Sequence, residues 1–171
     1  MFQRLGRAHI CHVGFPGLCS APFTSFNEDG SLDVDGGVAS VIQGLVDTGV
    51  KYAFVGGTTG ESFKLTQAER KQLLERWVAV IAEKGCDMTV IAHVGCESLQ
   101  DTVDLARHAA ACGVKAIGVM PPVFFKPPSL DALVDVSRVV GLAQCMVHAG
   151  LNCCGGVPIS SCLCVRACLV C

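Results

Sequence analysis

Apolar residues along this chain follow two patterns, short continuous runs and helically spaced stripes. The runs lie near residues 17–23, 51–55, 88–94 and 115–120. A short continuous run is typical of a parallel strand that is buried on both faces. Between the runs, apolar side chains recur every three or four residues, as on one face of an amphipathic helix. The pattern therefore predicts the order βαβαβαβα, with one unit about every 30 residues.

The ends of the predicted helices carry recognisable capping residues. Thr66 and Glu69 form a capping box, in which the threonine oxygen accepts from an unpaired amide and the glutamate reaches back. Ser98 and Ser129 begin the third and fourth helices. Glycines that follow the last apolar residue end the first three helices, at Gly49, Gly85 and Gly113.

Two α/β architectures fit this order of elements. One is a doubly wound open sheet and the other is half of a (β/α)₈ barrel. The hydrophobic pattern alone does not separate them. In both architectures the chemistry lies in the loops at the carboxyl ends of the strands, so these loops carry the functional information.

The loop after the second predicted strand, residues 56–61, reads Gly-Gly-Thr-Thr-Gly-Glu. Its glycines expose backbone N–H groups, and its two adjacent threonines add hydroxyls around one small space. Such a turn suits a carboxylate or a phosphate. The alternative is a purely structural βα turn, because glycine-rich turns are common. The loop lacks the lysine of a P-loop, which argues against nucleotide binding.

Composition narrows the class of protein. The chain has 171 residues, of which 51% are hydrophobic and 16% charged, with a formal net charge of −2, so we expect one globular domain. Lysine and arginine are not clustered, which argues against a nucleic-acid surface. No apolar stretch approaches the roughly 20 residues of a membrane span, and no signal peptide is recognisable. Five of the twelve cysteines are dispersed over the first 144 residues, which predicts a reduced, cytoplasmic protein.

Several segments together resemble one known family. Residues 53–62 with the later Glu69, residues 17–24, residues 91–96 and residues 121–127 resemble, in order and spacing, motifs of the dihydrodipicolinate synthase/N-acetylneuraminate lyase superfamily. The resemblance extends from about residue 17 to residue 140. It favours the (β/α)₈ TIM-barrel architecture, of which this chain would supply about four βα units.

The resemblance implies an activity and a site. Members are homotetrameric barrels without metal or organic cofactor, in which a lysine on the sixth strand forms a Schiff base with a 2-keto acid and a tyrosine on the fifth moves protons. By resemblance, Thr58 and Thr59 bind the carboxylate of pyruvate or of a sialic acid, and Gly57, Gly60 and Glu61 support the loop.

Two segments favour the sialic acid lyase branch, which cleaves N-acetylneuraminate to N-acetylmannosamine and pyruvate. Val123 and Phe124 stand where the synthases have paired tyrosines, and phenylalanine cannot relay a proton. His93, in the third strand, belongs to a motif typical of the lyases. We interpret His93 as a hydrogen-bonded core residue, with catalysis as the less favoured alternative.

The chain departs from the family pattern after residue 140. The Schiff-base lysine and the catalytic tyrosine have no counterpart, since Tyr52 begins the second strand at the opposite end. We therefore expect the chain to be inactive alone, with a noncatalytic form that binds a keto acid or a full-length subunit as the alternative. The lysines lie at strand starts (Lys51, Lys115), on a helix (Lys71, Lys84) and in loops with no sign of dry surroundings (Lys64, Lys126).

These observations divide the chain into an N-terminal extension (1–16), a partial TIM barrel (17–140) and a cysteine-rich tail (141–171). The tail contains seven cysteines and is interpreted as a segment unrelated to the family. Zinc binding is the alternative, although the spacing matches no common zinc motif. The four cysteines that would provide its thiolates are Cys162, Cys164, Cys168 and Cys171.

Overall fold

The computed structural model describes residues 16–147 and 167–169, with side chains described for residues 16–141. Five parallel strands form one sheet, and one α-helix follows each of the first four strands. The strands are β1 (Cys19–Ser20), β2 (Tyr52–Val55), β3 (Thr89–His93), β4 (Ala116–Val119) and β5 (Ala167–Leu169). The helices are α1 (Gly36–Asp47), α2 (Gln67–Lys84), α3 (Leu99–Ala111) and α4 (Leu130–Val147).

The order of strands in the sheet decides between the two architectures. Strand order is β1-β2-β3-β4-β5, so every strand pairs in parallel with its predecessor in the chain. A doubly wound sheet reverses direction at a switch point, whereas a TIM barrel adds strands in sequence. The described sheet has no reversal and is therefore barrel-like, as the loops indicated.

The two faces of the sheet have different surroundings. Ala53 and Val55 of β2 point to the same side as Val90 and Ala92 of β3, and all four belong to the main hydrophobic core. The core continues into the helices, where Trp77 of α2 is only 2% exposed. Phe54, Ile91, His93 and Gly118 occupy the opposite face of the sheet, which corresponds to the interior of a barrel.

The capping residues that the sequence predicted lie at the ends of the helices. Both hydrogen bonds of the Thr66–Glu69 capping box are present, and Gly85 caps α2 in the left-handed conformation with φ of 60°. The Ser98 side chain accepts from the Asp101 amide at the start of α3. At the start of α4, the Ser129 hydroxyl accepts from the Ala132 amide at 3.2 Å. Helix α4 extends to Val147, so a boundary after Val140 falls inside a helix.

The fifth strand is the main difference from the sequence prediction, which counted four. Ala167–Leu169 pairs with β4, opposite Ile117, Gly118 and Val119. The apolar, cysteine-rich sequence around this three-residue strand gives it no distinct boundaries, and for this reason the hydrophobic pattern did not reveal it. The zinc alternative rests on side chains outside the described residues. None of the helices in the described part of the chain combines the length and the apolar character that a membrane crossing requires.

Candidate functional site

The turn after β2, residues 56–61, stands at the carboxyl edge of the sheet. Two backbone hydrogen bonds close it, from the Glu61 amide to the Thr58 carbonyl oxygen (3.0 Å) and from the Ser62 amide to the Gly57 carbonyl oxygen (3.3 Å). Gly56 begins the turn at φ of 68°, and Glu61 ends it at φ of 57°. For a residue other than glycine this left-handed conformation costs about 1 kcal/mol, so neighbouring contacts must hold the turn.

Glycine is required inside the turn because other atoms approach its backbone closely. A Cβ atom at Gly57 would lie 2.6 Å from Cε1 of Phe54, inside van der Waals contact. At Gly60 it would lie 3.1 Å from the Cα atom of Gly56 and 3.3 Å from the carbonyl oxygen of Pro22. The supporting role predicted for Gly57 and Gly60 is therefore a close-packing requirement.

Thr58 and Thr59 lie between these two glycines, and both are exposed. Within the described part of the chain, no hydrogen bond uses either hydroxyl or is donated by either backbone amide. Two hydroxyls and two amides therefore remain available as donors on one short stretch of backbone. Such a set suits the two oxygens of a carboxylate. The carboxylate of Glu61 is instead paired with Lys64, 2.6 Å away.

The loop after β1 supports the turn from one side. The Thr24 hydroxyl donates to the Gly60 carbonyl oxygen at 2.7 Å, and Thr24 is buried. Because a buried carbonyl oxygen without a partner is costly, this bond fixes the second half of the turn relative to β1.

His93, the last residue of β3, supports the turn from the other side. Its Nδ1 lies 2.8 Å from the Gly56 carbonyl oxygen. This contact is a hydrogen bond only when Nδ1 carries the proton, which identifies the tautomer. Burial and the neighbouring Arg70 cation lower the pKa of His93 to about 4, so the imidazole is neutral at pH 7. The interpretation of His93 as a hydrogen-bonded core residue agrees with this geometry.

Arg70 of α2 lies behind His93 and is only 9% exposed. Its Nη2 donates to the His93 carbonyl oxygen at 2.8 Å and lies 3.2 Å from His93 Nδ1. Its Nη1 donates to the Gly95 carbonyl oxygen at 3.0 Å and contacts Cys96 Sγ at 3.0 Å. Sequence reasoning missed Arg70, although it precedes Leu73 and Trp77 at helical spacing and therefore lies on the buried face of α2.

Glu97 joins the loop after β3 to the loop after β4. One carboxylate oxygen accepts from the amides of Val123 (2.8 Å) and Phe124 (3.2 Å), and these bonds hold the pKa of Glu97 below its usual value. In the loop after β4, the rings of Phe124 and Phe125 pack edge to face with centroids 4.8 Å apart. Both side chains remain largely exposed. Sequence reasoning also missed Glu97, since an exposed loop carboxylate carries no distinctive pattern.

The described part of the chain contains neither a buried lysine nor a cluster of metal-binding side chains. All six lysines lie within it and none is buried, which leaves no lysine in the dry surroundings that favour a nucleophilic amine. The described residues also include no group of three or more His, Cys, Asp or Glu side chains arranged to hold a metal ion.

A sequentially ordered parallel sheet with a donor-rich turn at its carboxyl edge defines a (β/α)-barrel protein. Residues 14–143 match the model of the dihydrodipicolinate synthetase family, and the chain belongs to this family. This result confirms the resemblance that the motifs indicated.

Among curated relatives, the chain is 43% identical over 132 residues to the N-acetylneuraminate lyase of Xenopus tropicalis, covering 74% of this chain and 41% of the relative. It is 40% identical over 134 residues to the N-acetylneuraminate lyase of Homo sapiens, covering 74% and 39%. The chain therefore spans about two fifths of the length of the curated relatives that it matches.

Solved structures give the same picture. The N-acetylneuraminate lyase of Proteus mirabilis superposes with a TM-score of 0.70 at 39% identity, covering 75% of this chain and 42% of that chain. The dihydrodipicolinate synthase of Aquifex aeolicus superposes with a TM-score of 0.69 at 31% identity, with the same coverage. Fold similarity thus extends to both branches of the family.

Proposed function

We propose that the 56–61 turn binds the carboxylate of a 2-keto acid and forms the pyruvate subsite of an aldolase-type lyase. The observation that carries this proposal is the set of donors on Thr58 and Thr59, which have no partner within the described residues. Carboxylates bind well to converging backbone amides and hydroxyls, because every donor can point at the anion. Membership of the family supports a small-molecule substrate.

We propose N-acetylneuraminate as the substrate of the complete reaction, with N-acetylmannosamine and pyruvate as products and a Schiff base as the intermediate. The curated relatives named above are N-acetylneuraminate lyases. Phe124 supports the same branch, because its ring has no hydroxyl with which to relay a proton. No metal or organic cofactor is part of this proposal, since a lysine imine supplies the electron sink.

The carboxylate subsite can be tested by titrating the ¹⁵N-labelled chain with pyruvate and recording amide chemical shifts. We expect saturable shifts of Thr58 and Thr59 at millimolar pyruvate. Replacing both threonines with valine should weaken binding at least tenfold, because both hydroxyl donors are lost. Thr48→Val is the matched control, since Thr48 is an exposed threonine at the end of α1. Shifts that persist unchanged in the double variant would refute the assignment.

We further propose that this chain alone does not form the Schiff base. This view is supported by the absence of a buried lysine among the described residues, and by the pairing of Lys64 with the Glu61 carboxylate of the turn. The chain would then act as a noncatalytic keto-acid binder or as a partner of a full-length subunit. Borohydride reduction in the presence of pyruvate tests the proposal, and a covalent adduct detected by mass spectrometry would contradict it.

We also propose a cytoplasmic, homo-oligomeric protein. The dispersed cysteines of residues 1–144 support a reducing compartment. The family resemblance implies a homotetramer, and unpaired edges of a parallel sheet favour self-association. Light scattering during size-exclusion chromatography measures the assembly, and a monomer at all concentrations would argue against it.

A further inference from the structure

Arg70 is a buried cation without a carboxylate partner among the described residues. The acceptors around its guanidinium are two carbonyl oxygens and a thiol, all at the carboxyl end of β3 or just beyond it. A buried charge is costly unless hydrogen bonds compensate it. A residue that contributed only to packing would not need five donors at this position, whereas a residue that fixes several backbone groups would.

The guanidinium of Arg70 also determines the position of His93 and the direction of its Nδ1–H group. By donating to the His93 carbonyl oxygen, Arg70 fixes the backbone at the end of β3, and its cation lies against the imidazole edge. The Nδ1–H group of His93 then points to the Gly56 carbonyl oxygen, just after the neighbouring strand β2. This bond holds that carbonyl at the first residue of the 56–61 turn, where φ is left-handed.

We propose that Arg70, acting through His93, is the positioning residue that sets the conformation of the 56–61 turn. The guanidinium of Arg70 fixes the backbone at the end of β3, and the His93 imidazole then holds the Gly56 carbonyl oxygen. These contacts, the Arg70–His93–Gly56 relay, determine where Thr58 and Thr59 lie. The importance of this relay for ligand binding rests on the proposed function of the turn. The effect of the relay on the conformation of the turn does not rest on the proposed function, so the relay and the function can be tested separately.

Two pairs of variants of the full chain test the relay. His93→Asn retains a side-chain N–H close to the position of Nδ1, whereas His93→Leu matches the imidazole in size but removes the donor. Arg70→Lys retains the charge but has a single nitrogen, which cannot serve the acceptors of both guanidinium nitrogens. Arg76→Lys is the control, because Arg76 lies on the same helix with its side chain 29% exposed and pairs with Glu83.

The measurement is amide hydrogen exchange at Glu61 and Ser62, whose hydrogen bonds close the turn. We expect exchange at least tenfold faster in His93→Leu and Arg70→Lys. It should remain near the original rate in His93→Asn and Arg76→Lys. Exchange at Ile42, in α1, reports whether the fold itself is intact in each variant.

The two His93 variants distinguish positioning from packing. A packing role predicts that leucine substitutes better than the smaller asparagine, and a positioning role predicts the reverse. Equal exchange in both variants, or faster exchange in His93→Asn alone, would overturn the relay. Pyruvate affinity should follow the same rank order. If the original chain fails to bind pyruvate while the exchange pattern holds, the proposed function fails and the relay stands.

Discussion

Two loops at the carboxyl edge of the sheet, residues 56–61 after β2 and residues 120–129 after β4, are held in different ways. The 56–61 turn is short, its glycines are buried, and buried side chains from both neighbouring segments hold it. The 120–129 loop is longer and exposes Phe124 and Phe125, and the one carboxylate that holds its amides, Glu97, is exposed.

This difference separates two kinds of loop function. A turn that presents ligand donors must keep them in a fixed arrangement, because any freedom lost on binding reduces affinity. Buried bonds from behind provide that arrangement in the 56–61 turn. An apolar loop gains from burial against another surface and needs only its base to be fixed. We therefore expect perturbations of the first loop to change stability and perturbations of the second to remain local.

Acidification should produce the largest change. Burial and the facing Arg70 cation lower the pKa of His93 from 6.5 in the unfolded chain to about 4 in the folded chain. Between these values only the unfolded state binds the proton, so stability falls as pH decreases from about 6.5 to 4. The loss is about 3 kcal/mol, at roughly 1.4 kcal/mol per pKa unit. Urea unfolding at several pH values measures it. His93→Asn should remove this part of the pH dependence, and an identical curve would contradict the assignment.

Gly57→Ala should cause the second largest loss of stability, because the added methyl group would overlap the Phe54 ring. We expect destabilisation of about 2 kcal/mol, typical of overpacking in a confined site, together with weaker pyruvate binding. Gly44→Ala is the matched control, since nothing lies within 4 Å of a Cβ at this position of α1. The control should stabilise the chain by about 0.5–1 kcal/mol. Comparable effects of both variants would mean that the close approach at Gly57 is unimportant.

Thr24→Val should have a smaller effect on the same turn. Valine retains the shape of threonine but leaves the Gly60 carbonyl oxygen without its donor, which costs about 1–2 kcal/mol in a buried site. Thermal unfolding of this variant, compared with Thr48→Val, gives the difference. A Thr24→Val protein as stable as the original would show that the turn does not depend on its β1 side.

Glu97→Gln should have the smallest effect and should be confined to the 120–129 loop. Removing the charge weakens the bonds to the Val123 and Phe124 amides, so both amides should exchange faster. Because Glu97 is exposed, we expect little change in the unfolding midpoint. Faster exchange at Glu61 in this variant would show that the two loops are coupled, contrary to the comparison.

The sequence was sufficient for features that depend on local pattern. The first four strands follow from apolar runs, and the helix starts follow from residues such as Thr66 and Ser98, whose short side chains cap backbone amides. The 56–61 turn was recognisable because its glycines and threonines are adjacent in the chain. Contacts between distant segments were not accessible in this way. Arg70 and His93 are 23 positions apart in the sequence, and no pattern along the chain predicts their contact.

Since the strands follow one another across the sheet in chain order, neighbouring loops at its edge are also successive loops of the polypeptide. An insertion in one loop therefore first meets the loop before it and the loop after it. Length changes in the 120–129 loop should leave the distant 56–61 turn in place, because the loop after β3 lies between them. Such a layout allows one segment of the edge to diverge in evolution while the others keep their geometry.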